Sequence, residues 1–144
     1  MFELILPNGN IFQIVDDEHN DNSYIVRILN PERNHIFSEL NLAPLWLARP
    51  DAFAEGDFYQ KTFASYPPRQ GHGINLFQLL LENSEQIPLL NNLYSTSWNA
   101  DNNIDDTDFI TIEANYFWGN LVANEQAERL EDIARYRVIP ALLV

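Results

Sequence analysis

The sequence predicts an α+β fold: an N-terminal antiparallel β-meander, a helical middle and a C-terminal strand–helix–strand. Three observations carry this. Two β-prone runs flank Pro7-Asn8-Gly9-Asn10, and a third follows a polar loop. Prolines and helix-start signals punctuate residues 44–94. A short alternating run at Phe109 then precedes a stretch with helical spacing from Ala123. A length of 144 residues is close to the commonest domain size and predicts a single globular domain over 1–144.

Phe2–Leu6 and Ile11–Val15 are expected to pair across a two-residue type I′ turn at Asn8-Gly9, since both residues tolerate positive φ. That register sets Leu6 opposite Ile11, Ile5 opposite Phe12 and Leu4 opposite Gln13. The polar loop Asp16–Asn22 leads to a third strand over Tyr24–Leu29, and 30–34 reads as a turn. Pro44 suits the first turn of a short helix through Arg49, anchored by Trp46 and Leu47. Asp57 with Gln60 has capping-box spacing for a helix to about Ala64, which Pro67-Pro68 ends. Asn75 with Gln78 repeats the spacing, with Ile74, Phe77, Leu80 and Leu81 on one face. A further helix is expected from about Glu85 to Tyr94. Phe109–Glu113 alternates like a strand. Ala123–Arg135 has an alanine–leucine stripe, a possible N-cap in Asn124, and Glu125–Arg129 and Glu131–Arg135 at i,i+4. Tyr136–Val144 is expected to be an edge strand, because Pro140 cannot complete a central ladder.

Composition removes several chemistries. Apolar residues make up 46% and aromatics 12%, enough for a packed core. No apolar run reaches the roughly 20 residues of a membrane span. The opening MFELILPNGN lacks the basic region of a leader and reads as strand and turn. There is no cysteine, which excludes disulfides, thiolate metal sites and cysteine nucleophiles. A cytoplasmic location is expected.

The net charge is −13. Residues 1–48 hold 7 acids against 2 bases, and residues 101–144 hold 9 against 3. Such a chain is repelled by nucleic acid and anionic membrane, and attracted to a basic protein. The densest stretch is NADNNIDDTDF, Asn99–Phe109. Read as an EF-hand loop from Asp101, it offers Asn103 and Asp105 at the third and fifth positions. It then places Asp106 where glycine belongs and Ile112 where glutamate belongs. No metal site and no cofactor are therefore expected.

His19 lies among carboxylates and His35 enters an apolar run; neither has metal-ligand spacing. His72 stands in SYPPRQGHG, where two prolines and two glycines precede a helix. Arg69 and His72 could face a phosphate or carboxylate together at that helix start. No Walker, dinucleotide, kinase or serine-elbow motif is present.

These observations support a non-catalytic reading: a small acidic inhibitor, of the toxin-immunity or phage type, that occludes a basic and possibly nucleic-acid-processing partner. Its expected contacts are Asp101, Asp105, Asp106 and Asp108, with Asp16, Asp17 and Asp21 as a second patch and Trp98 as the apolar anchor. One alternative is an adaptor or structural subunit whose acidity is incidental. A second is a small-ligand enzyme using Arg69 and His72.

Overall fold

The computed structural model describes residues 1–67, 70–105 and 108–143. Arg69 and Asp106, both singled out above, lie outside them. The described residues form eight strands and three α-helices, a mixed α+β architecture in which strands dominate. The chain divides into two units: Met1–Ala43 with Thr62–Pro88, and Pro44–Lys61 with Leu89–Val144.

The first unit is built on the meander of β1 (Phe2–Ile5), β2 (Ile11–Asp16), β3 (Tyr24–Leu29) and β4 (Ile36–Pro44), each antiparallel to the next. The first hairpin is displaced by one residue from the expected register. Ile5 faces Ile11 and Leu4 faces Phe12. Gly9 N–H donates to the Leu6 carbonyl at 2.9 Å, so Pro7 and Asn8 are the central turn residues, and Gly9 follows with φ +88°. Proline's fixed negative φ suits the first central position of an ordinary turn, and the positive φ falls on the glycine after it. A one-residue slip exchanges the faces of a strand. Here it sets Leu4 opposite Phe12 and Phe2 opposite Ile14, and those two β2 side chains are buried together with Val26, Ile28, Leu40 and Leu42.

A polar ladder crosses the opposite face. Glu3, Gln13, Arg27 and Glu39 are successive cross-strand partners. Gln13 donates to Glu3, Arg27 donates to Gln13, and Arg33 grips Glu3 with both guanidinium nitrogens. Arg33 and then Gln13 hold the Glu3 carboxyl down at about 2.

The middle contains less helix than expected. Asp57–Ser65 is strand β5, not a helix. Its aromatics and threonine prefer an extended backbone, and Asp57 is engaged elsewhere: it accepts from Ala54 N–H and from the Asn92 amide. Helix α2 (His72–Glu82) starts before the expected Asn75 cap, and it buries Leu76, Phe77 and Leu80 while Ile74 is half exposed. It packs on β3. Only a single 3-10 turn, Ser84–Gln86, stands within the helix expected from Glu85.

In the second unit, α1 (Leu45–Ala48) is anchored by fully buried Leu45, while Leu47 is exposed. Trp46 meets Phe58 edge-on at 4.9 Å. The start of β5 pairs in parallel with β6 (Asn92–Tyr94), which pairs antiparallel with β8 (Arg135–Val138) and through it with β7 (Ala127–Leu130). The strand–helix–strand order holds, with β6 ahead of α3 (Ile112–Ala123) and β7 and β8 behind it. The positions differ. Thr111 accepts from Ala114 N–H and starts a helix where a strand was expected, and the stretch after Ala123 is a hairpin rather than a helix. Glu125 and Ala134 take positive φ at the two turns, and Arg129 pairs with Glu131, not Glu125. Residues Pro140–Leu143 form a 3-10 turn, not a strand. No helix among the described residues is long and apolar enough to cross a membrane.

Because the folded Glu3 carboxyl lies below its ordinary value, its contribution is complete above about pH 4.5 and is lost as pH falls from 4.5 towards about 2. Glu3→Gln should lose less stability than the wild type over that interval, measured by urea unfolding at pH 5 and pH 2.5. Equal losses in both proteins would contradict the assignment.

Candidate functional sites

The acidic stretch after Trp98 is organised from inside. Asp108 is fully buried, not a surface contact. Arg135, the first residue of β8, is 1% exposed and donates to both of its oxygens, at 2.9 and 2.5 Å. The same carboxylate accepts from Ser97 N–H and Ile104 N–H. The guanidinium also donates to the carbonyls of Ser95 and Asn102. Two buried charges are tolerable because they face each other and nearly every remaining donor and acceptor has a partner. Tyr59 lies 5.5 Å from the guanidinium; burial, and then the charges of Asp108 and Asp105, push its phenol up to about 12. The loop is thus tied to β8 at both ends, leaving Asp101 and Asp105 exposed.

Trp98 is not an open anchor. The Arg129 guanidinium covers its ring at 4.0 Å, and Tyr136 meets it edge-on at 5.1 Å. Tyr136 in turn stacks on buried Trp118, whose indole N–H donates to Gln60. In the other unit Asp17 shapes its own loop: it accepts from His19 N–H, Asn20 and Asn41, and the Asn20 and His19 bonds hold its carboxyl below the usual range. Asp16 and Asp21 remain exposed. Among the described residues no group of three or more metal-ligating side chains converges.

His72 stands at a different kind of place. Gly71 precedes it with φ +79°, and among the described residues no side chain caps α2. A Cβ on Gly71 would meet nothing within 4 Å, so glycine is required there by backbone conformation and open space surrounds it. Gly73 has a packing reason instead: a Cβ there would come within 2.9 Å of the Phe63 ring. The imidazole lies against Phe37 at 5.1 Å, and His35 meets the other part of Phe37 edge-on at 4.8 Å. Ser38 donates to the His72 carbonyl and fixes the turn. From this turn a groove of about 510 Å³ runs between α2 and the β1–β2 turn. His72, Asn75 and Glu82 line one side, Asn8 and Asn10 the other, and Phe37 lies within it.

Two participants were missed from the sequence. Arg135 was assigned to a helical ion pair, because nothing local marks a residue that will pair 27 positions away. The β1–β2 turn was read only as a turn, although its asparagines line the groove. No protein-family model matches the chain, and no curated protein sequence matches it significantly.

Arg135→Leu should destabilise the protein by about 3–5 kcal/mol, because it leaves the Asp108 carboxylate buried without its cation. Urea unfolding at pH 7 measures this. A loss below about 1 kcal/mol would show that the pair does not hold the loop.

Proposed function

We propose that the protein binds a small molecule carrying a phosphate or carboxylate, with the anion at the opening turn of α2 and the remainder in the adjoining groove. The groove carries this reading, because its lining includes His72 and Asn75, from the first turn of an 11-residue helix whose N-cap position, Gly71, offers no side chain. Amides at a helix start point outward and favour negative charge. Open space beside Gly71 admits an anion, and His72 adds a charge-assisted donor when protonated. A volume near 510 Å³ suits a cofactor-sized group. Glu82 disfavours a second anion at the far end. This reading takes His72 as the anion-facing residue and assigns a ligand, not a reaction.

A second reading keeps the cytoplasmic inhibitor that occludes a basic partner. Its support is the disposition of charge. Among the described residues six basic side chains each pair with an acid: Arg27, Arg33, Arg49, Arg129, Arg135 and Arg137. The surplus of acids therefore dominates the field and would steer a cationic protein. Asp16, Asp21, Asp101 and Asp105 are the members of the expected contact set that remain exposed.

Thermal unfolding with inorganic pyrophosphate, ADP and coenzyme A tests the first reading. A ligand at 100 times its Kd adds about 2.7 kcal/mol of stability, or roughly 5–10 °C in Tm for a chain of this size. At least one compound should produce such a shift, and His72→Ala should remove most of it relative to the variant's own baseline. No shift with any compound, or an undiminished shift in His72→Ala, would overturn the reading.

A further inference from the structure

We infer that Phe109, Ile112 and Tyr116 form a docking surface for a basic protein segment that presents an apolar side chain among arginines or lysines. The three residues are 51%, 76% and 73% exposed. Ile112 and Tyr116 are one helical turn apart on α3 and share a face, and Phe109 lies just ahead of that helix. A helix in this setting ordinarily turns polar side chains outward and keeps its large apolar ones inside, as α3 does with Trp118 and Leu121. Large apolar groups kept in water beside polar residues mark interaction surfaces.

Charge selects the occupant. Residues 70–128 contain no lysine or arginine. Exposed Glu113 lies within the patch sequence, and exposed Asp101 and Asp105 precede it in the loop held by Arg135. A second copy of this chain would bring the same negative charge and be repelled. A basic segment gains attraction at the rim while its apolar side chain covers the three rings and branches. The surface lies wholly in the second unit and is independent of the groove at α2.

The probe is a synthetic helical peptide with leucine and phenylalanine on one face and arginine on the others, titrated into the full chain and read by fluorescence anisotropy. At 50 mM salt the wild type should bind it. The double variant Ile112→Ser/Tyr116→Ser should weaken binding at least tenfold, and Asp101→Asn/Asp105→Asn should flatten its salt dependence. The substituted side chains are exposed, and circular dichroism checks that each variant keeps its fold. No binding to the wild type, equal binding by the Ile112→Ser/Tyr116→Ser variant, or equal binding of a peptide with glutamate in place of arginine would overturn the inference. So would a dimer in sedimentation equilibrium that Ile112→Ser/Tyr116→Ser dissolves, because the occupant would then be a second copy.

Discussion

Arg135 is the residue on which the second unit is arranged. Its guanidinium is buried, and a buried cation requires partners in every direction its donors point. Asp108 and the carbonyls of Ser95 and Asn102 supply them. These partners come from the residue following β6 and from the acidic loop, and Arg135 itself opens β8. Meeting one charge therefore fixes three separate stretches of chain. The loop's aspartates are divided by the same event: Asp108 is turned inward, while Asp101 and Asp105 are left in water. An acidic run that looks uniform in sequence has an interior member with a structural duty and outer members that shape the field.

In the first unit the corresponding constraint is a backbone one. Proline and glycine at 7 and 9 set the hairpin register, and that register decides which residues of β1 stand opposite buried Phe12 and Ile14. Glycine at 71 lets the chain enter α2 without a capping side chain. Gly73 then brings the helix close to Phe63. The groove is lined by the hairpin turn, by α2 and by Phe37. Neither glycine nor histidine alone makes a site there. The arrangement sets the imidazole of the helix start on the wall of an open groove.

The meander was legible because alternation and turn residues agree over residues 2–29, with the register error tracing to which residue of Pro7-Asn8-Gly9 takes positive φ. Helix α2 was legible because Phe77 and Leu80 are at helical spacing. Two failures share one physical origin, tertiary pairing that overrode local propensity, and a third comes from a local helix cap. Asp57 and Gln60 have capping spacing, yet one closes a turn and the other accepts from Trp118 inside the core. Glu125–Arg129 and Glu131–Arg135 have ideal helical spacing, yet Arg129 stacks on Trp98 and Arg135 is needed by Asp108. Phe109–Glu113 alternates, yet Thr111 finds the Ala114 amide and nucleates α3. Of the candidate sites, the His72 turn was visible from its glycines. The groove wall and the Asp108–Arg135 pair were not, because both join residues distant in sequence.

The binding mode proposed is an anion held by the first amides of α2. The most direct measurement is an amide-resolved NMR titration of the isotopically labelled protein with inorganic pyrophosphate. Saturable shifts at the backbone amides of His72, Gly73 and Ile74, with smaller changes at Asn8 and Asn10, are the predicted result. Shifts confined to other residues, or shifts that grow linearly without saturation as an ionic-strength effect would, contradict it.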